Sequence, residues 1–434
     1  MTKLKGLIGR YREMATDVAW SGISDLFNLL SNLISFLLLF NTLPITTYGA
    51  YVGTFGITAP LGAFTWSGLS LLILQRVIRE NDDAQVVAKR AYALAVGQGT
   101  IAIGVATILG ALFITGIDPF TIALIATAEL LLFPITQASA TLVQATKGFA
   151  AAARLRIFLP VVRLLSLLVP YALDRLTVRN LAMSWLIGFT IVAVYSVLVA
   201  LPRIGIRFGF SRPNRSYVQT NLELSLPLTA NTFQQNGDKV VMNGFGLAAD
   251  AGLYGAAYRI ITLSQLPIRT MNQALFQRFL PDNENDKGQH VRRAKRFSSV
   301  SLAISLVICV VLYFLAPALE FLVGDKISEA VTIVRWLLII VPLLAISRAP
   351  LNGLLGLGKT QLRAGLILSS AALSLVMYLT LVPVMSWRGA AIGTVVSDLF
   401  ITASGWYLLV KFQQQADAAD GGQSSTCHLP SAAT

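Results

Sequence analysis

Runs of about twenty apolar residues recur along the whole chain, the length that a helix needs to cross the hydrocarbon of a bilayer. Only 13% of the residues are charged, where about 25% is usual in soluble domains, so these runs do not read as the cores of two or three soluble domains. The reading is an all-α integral membrane protein.

Twelve spans are expected, near residues 19–40, 53–74, 91–115, 119–141, 155–173, 181–201, 220–245, 253–276, 297–322, 330–349, 361–383 and 389–410. Loop charge supports this count, because Lys and Arg gather in alternate connectors. One side holds the N-terminus (Lys3, Lys5, Arg10, Arg12) and the loops around Arg76 to Arg90, Lys147 to Arg156, Arg203 to Arg215, Arg278 to Arg296, and Arg348 to Arg363. The opposite side holds only Arg175, Arg179, Lys326 and Arg388. The basic side is cytoplasmic, which places both termini there. The formal net charge of +13 is then a loop excess and not a nucleic-acid surface.

The chain repeats itself. Asp25, Asn28, Asn32 and Ser35 form a polar stripe in the first span, and Thr47-Tyr48-Gly49-Ala50-Tyr51 follows as a turn. Asn231, Gln234, Gln235 and Asp238 share one helix face in the seventh span, and Leu253-Tyr254-Gly255-Ala256-Ala257-Tyr258-Arg259 follows, with a turn at Tyr254-Gly255. Tyr48 and Tyr254 lie 206 positions apart, as do Asp25 and Asn231. Pro60 and Pro267 mark the interiors of the second and eighth spans, and an acidic cluster follows each span. Residues 1–210 and 211–411 therefore read as two six-helix lobes of like topology, related by an axis along the membrane normal. Residues 412–434 read as a disordered cytoplasmic tail.

Polar groups facing lipid are costly, so a one-sided stripe marks either helix packing or a water-filled path. Matching stripes in the two halves favour a central path lined by Asp25, Asn28, Asn32, Asn231, Gln235 and Asp238. Two carboxylates, Glu129 and Asp398, lie near mid-membrane by residue count. Such an acid can take a proton or pair with a cation and so couple transport to a gradient, or it can be held neutral by packing. Five cations lie in the spans: Arg163, Lys239, Arg259, Arg269 and Arg335. Guanidinium groups suit phosphate, whereas snorkelling to the interface is the alternative. Snorkelling is expected of Lys239 and Arg335, although Lys239 has Asp238 beside it. Arg163, Arg259 and Arg269 stand as candidates for binding an anion.

Several chemistries have no support in the sequence. Cys309 lies in an apolar run and Cys427 in the tail, so no structural disulfide is expected. His290 and His428 have no ligand company, so neither a metal nor any other cofactor is expected. No phosphate-cradling loop marks an ATP motor. The outer loops are too short for the catalytic constellation of a glycan polymerase or ligase.

The Tyr48-Gly49-Ala50-Tyr51 segment, Leu226-Pro227, the stretch from Asp250 to Arg259 after Asp238, and Trp387-Arg388-Gly389-Ala390-Ala391-Ile392-Gly393 carry a resemblance. With them the chain resembles the polysaccharide-type, O-antigen-type flippases of the multidrug/oligosaccharidyl-lipid/polysaccharide exporter superfamily. The resemblance implies two lobes in a V shape that open alternately to either side of a bacterial cytoplasmic membrane. The implied cargo is an oligosaccharide on a polyprenyl pyrophosphate, with its prenyl tail in membrane lipid. Glycan polymerases or glycosyltransferases are the implied partners, and a proton or cation the implied coupling ion. A cation-coupled multidrug antiporter of the same fold is the alternative.

Overall fold

The computed structural model describes residues 2–268, 290–317 and 328–424. Among them there is no β-strand. A helix that continues through a wide turn is counted as one. On that count the order is α1 (Thr2–Thr42), α2 (Ile45–Arg79), α3 (Ala84–Phe113), α4 (Pro119–Lys147), α5 (Phe149–Ala172) and α6 (Val178–Ile204). Then come α7 (Arg215–Gly244), α8 (Ala248–Ser264), α9 (His290–Leu315), α10 (Glu329–Gly356), α11 (Thr360–Met385) and α12 (Trp387–Ser424).

Nine helices among the described residues are long and apolar enough to cross a membrane. The chain is a multi-pass membrane protein. Helices α5 and α7, at the places of the fifth and seventh expected spans, are not among the nine, although they run for 24 and 30 residues. Their length suffices at about 1.5 Å per residue. Their composition sets them apart, because α5 carries Arg154, Arg156 and Arg163, and α7 carries the polar stripe. The eighth expected span runs on past the described residues, and Arg269 lies outside them.

Two compact units divide the chain, Met1–Gly255 and Ala256–Thr434. In the first, α1 packs on α5, α5 on α6, α3 on α4, and α2 on α7. Its apolar core gathers Leu69, Leu72 and Ile73 of α2, Ala88, Ala91 and Tyr92 of α3, and Leu142 of α4. In the second, α10 packs on α9 and α12, and α11 packs on α12. Ala294, Phe297, Ala349, Leu354 and Leu409 form a core there.

The connector ahead of α7 is tied back to the first unit. Gln85 Nε2 donates to the Arg207 carbonyl at 2.7 Å, and Arg207 N–H returns a bond to Gln85 Oε1 at 2.7 Å. Asn214 then caps α7 by accepting from Tyr217 N–H at 3.0 Å, satisfying one of the orphan amides of the first turn.

Two expected turns are helical. Tyr48-Gly49-Ala50-Tyr51 lies in the first turns of α2, and Tyr254-Gly255 lies within α8. The chain reverses instead just before each, at Pro44 and at Gly246 with its left-handed φ of 77°. The glycines serve close approach, not reversal. A Cβ on Gly49 would lie 1.7 Å from the Ala248 carbonyl oxygen, and one on Gly56 would lie 2.8 Å from that of Asn236. From the other side, a Cβ on Gly252 would lie 2.7 Å from the Ile45 carbonyl oxygen. Small residues at these positions let the α2 backbone and the α7–α8 backbone meet, the usual means of helix association in lipid.

At the C-terminus α12 runs on to Ser424, through residues expected to be a polar tail. Gln413, Gln414, Gln415, Ala416, Ala418 and Ala419 are good helix formers and prolong it.

Replacing Gly49 with Ala drives a methyl into a backbone carbonyl that cannot yield. The variant is expected to lose at least about 3 kcal/mol, at the upper end of overpacking costs. Gly97→Ala is expected to be tolerated, since nothing lies within 4 Å of that position. Thermal unfolding of the two purified variants in detergent checks this.

Candidate functional site

Two charges stand in the interior of helices α2–α6. Inward of Arg76 at the end of α2, Lys89 and Arg90 at the start of α3, Lys147 at the end of α4, Arg154 and Arg156 at the start of α5, and Arg179 and Arg203 at the ends of α6, the sequence of these helices offers only Glu129 and Arg163. The structure brings the two together. Arg163 Nη2 of α5 donates to Glu129 Oε1 of α4 in an ion pair. The side chains are 22% and 13% exposed, so the pair is neither sealed nor on the surface.

Local backbone explains the placement of Glu129. It sits in a wide π-turn, Ala128–Leu132, immediately before Pro134. Pro134 has no N–H to donate, and the widened turn accommodates the break in the hydrogen-bond ladder. Opposite it, Gly99 of α3 lets the backbones close, since a Cβ there would lie 2.5 Å from the Leu130 carbonyl oxygen.

Aromatic rings wall the cation. The Arg163 guanidinium lies 5.1 Å from the Trp185 ring centroid and 5.7 Å from that of Phe189, both on α6. Each such contact contributes about 0.5–2 kcal/mol. Trp185 is buried, and its Nε1–H has no hydrogen-bond partner among the described residues. Tyr51 and Phe55 of α2 continue the wall. Phe55 meets Trp185 edge-on at 5.7 Å and Tyr51 at 5.0 Å. The wall arises from two i, i+4 aromatic pairs, Tyr51–Phe55 and Trp185–Phe189, each on one helix face.

A second buried ion pair lies on α7. Asp238 Oδ1 accepts from Lys239 Nζ at 2.8 Å and from Lys239 N–H at 2.8 Å. Lys239 Nζ also donates to the Gln235 carbonyl at 2.6 Å and lies 5.5 Å from the Tyr254 ring centroid. The expected snorkelling of Lys239 does not occur. It is only 3% exposed, because Asp238 and the Gln235 carbonyl satisfy its ammonium inside the protein. Next to it Asn243 Nδ2 donates to the Gly49 carbonyl at 3.0 Å, linking α7 to α2. Arg335, by contrast, is exposed and lies 5.0 Å from the Tyr313 ring centroid.

The other expected positions are spread over both units. Asn32 Nδ2 donates to Asn28 Oδ1 at 2.6 Å, so these two stripe amides bond each other. Asn28 is exposed and Asn32 half-buried. The side chain of Asp25 lies outside the described residues. Asn231 and Gln235 are half-buried on α7, and Gln234 and Asp238 are buried. Arg259 is half-buried on α8 in the second unit. Asp398 is buried on α12, within Coulombic range of Arg348. Among the described residues no three His, Cys, Asp or Glu side chains gather as a metal site.

Residues 43–332 match the model of a family described as polysaccharide biosynthesis protein. The chain belongs to that polysaccharide biosynthesis family. The match includes Glu129, Arg163 and the α7 stripe, and it ends before Asp398. No curated protein matches the chain at a significant level. Solved structures share the fold of this polysaccharide biosynthesis family member. An inward-facing multidrug resistance MATE family transporter of the MOP superfamily superposes with a TM-score of 0.67 at 16% identity, covering 90% of this chain and 96% of its own. An outward-facing one gives 0.59 at 15% identity, with 92% and 97% covered. The MATE multidrug transporter DinF-BH gives 0.67 at 15% identity, with 92% and 94% covered.

Removing Asp238 leaves a buried ammonium without its counter-ion. Asp238→Ala is expected to cost about 3–5 kcal/mol, whereas replacing both partners by apolar residues in Asp238→Leu/Lys239→Met is expected to restore most of it. Thermal unfolding of the single and double variants decides between these outcomes.

Proposed function

We propose that this protein is a flippase that carries polyprenyl-pyrophosphate-linked oligosaccharide from the inner to the outer leaflet of a bacterial cytoplasmic membrane. It works by alternating access of two six-helix lobes, residues 1–210 and 211–411, with both termini in the cytoplasm. On this reading α5, α7 and α8 complete the set of twelve spans. Their polar faces are the reason that α5 and α7 fall short on composition alone.

The observation that carries the reading is the guanidinium of Arg163, held at the interior of the first unit against aromatic walls. A planar fork of donors suits a pyrophosphate. The half-buried rings of Tyr51 and Phe55 offer apolar faces for sugar rings. Asp25, Asn28, Asn32, Asn231 and Gln235 offer partners for sugar hydroxyls, and Asp238 holds Lys239 behind that face. Arg259 and Arg269 serve the anion in the second half, and Asp398 is the acid there. Membership of a polysaccharide biosynthesis family supports the saccharide. A lipid-linked substrate also suits a protein with no phosphate-cradling loop and short connectors.

A second reading, a cation-coupled multidrug antiporter, draws on the solved structures of similar fold, which are multidrug transporters. The sign of the substrate separates the two.

The test is translocation in proteoliposomes of a polyprenyl-pyrophosphate disaccharide with a fluorescent label, read by its protection from an external quencher. The wild type is expected to move it. Arg163→Ala is expected to slow it at least about tenfold, the worth of one charge-assisted contact of about 1.4 kcal/mol. Movement of a cationic dye in place of the anionic lipid contradicts the flippase reading and supports the antiporter.

A further inference from the structure

Glu129 occupies the guanidinium that a substrate anion needs. We propose that Glu129 gates Arg163, so that an anionic pyrophosphate head and a proton bind this site together. The anion takes the place of the carboxylate on the guanidinium, and hydronium or a buffer acid in the adjoining solution gives up its proton to the carboxylate, breaking one O–H bond on the donor. Arg163 stays charged throughout, and one O–H bond forms on Glu129. The inference rests on the pyrophosphate reading above and deepens it.

The argument is one of replacement partners. A carboxylate in a water-poor interior is ionised at little cost only while a cation faces it. Once an anion takes Arg163, Glu129 needs a second cation or a proton. The helices packed around it offer no second cation. In α2 the titratable groups ahead of Arg76 are Tyr48 and Tyr51. In α3 nothing after Tyr92 titrates. In α4 Glu129 stands alone between Asp118 and Lys147. In α5 beyond Arg156 there are only Arg163 and Tyr171, and in α6 only Tyr195 between Arg179 and Arg203. On α1, which packs against α5, the one ionisable group between Trp20 and Thr42 is Asp25, an acid and so no replacement cation. The proton is the partner that remains.

Binding linkage is reciprocal, so a proton that helps the anion bind is itself held more tightly when the anion is present. Proton and substrate therefore occupy this pair together, and the loaded site carries one less negative charge. An antiporter for cationic drugs requires the opposite, competition between proton and substrate for the acid. Both side chains are partly exposed, so the pair is not sealed within the packed helices.

The test uses the full chain in detergent with farnesyl pyrophosphate as probe. Calorimetry in two buffers of different ionisation enthalpy counts the protons taken up on binding. At pH 8, about two units above the second phosphate ionisation, the probe itself contributes few. The wild type is expected to take up about one proton per probe bound, with affinity falling up to about tenfold for each unit of rising pH. Glu129→Gln is expected to bind at least as tightly, with no uptake and no pH dependence, and Arg163→Ala to bind at least about tenfold more weakly. Inorganic pyrophosphate is expected to compete with the probe, and farnesol is not. Wild-type binding without proton uptake overturns the gate and leaves the pyrophosphate reading standing. Absence of wild-type binding overturns both. Should Glu129→Gln fail to fold, the wild-type proton count alone decides.

Discussion

A charge inside a membrane protein needs a partner, and that requirement organises the first unit. The bilayer supplies neither water nor counter-ions, so each buried ion must find its opposite within the fold. Glu129 and Arg163 do so across two helices, and Asp238 and Lys239 do so within one. The two pairs differ in exposure and hence in what they can do. Asp238 and Lys239 are almost fully buried, and their ammonium is also held by a carbonyl, so that pair fixes the α7 backbone. Glu129 and Arg163 are partly open and are walled by rings, so that pair can exchange a partner.

The close crossing of α2 with α7 and α8 provides the frame. Gly49, Gly53 and Gly56 on one side and Gly252 on the other remove the side chains that would hold the backbones apart. Asn243 then reaches the Gly49 carbonyl, so the contact is polar as well as close. Because Tyr51 and Phe55 lie on the same helix as these glycines, the crossing also sets where the aromatic wall stands.

Much of this was legible in the sequence. Helices stand where the apolar runs are, since both follow from the transfer of residues between water and lipid. The polar stripes on α1 and α7 were visible as spacing. The pairing of Glu129 with Arg163 does not follow from spacing, because the two lie on different helices. The signal was present all the same, since they are the only charges in the interiors of five consecutive helices. Depth by residue count ignores an adjacent acid, and Asp238 holds Lys239 buried where depth alone predicts snorkelling. The glycines of Tyr48-Gly49-Ala50-Tyr51 and Tyr254-Gly255 look like turn formers in sequence, but in lipid glycine often serves helix contact, and that is their place here.

The central claim is that an anionic lipid head occupies the first unit beside Arg163. Photo-crosslinking tests it most directly, with a polyprenyl pyrophosphate that carries its photoreactive group next to the phosphates. Mass spectrometry should then find label on peptides of α4, α5 and α6 around Glu129, Arg163 and Trp185, and inorganic pyrophosphate should suppress it. Label confined to the lipid-facing surface of α9, or label that pyrophosphate leaves unchanged, would contradict the account.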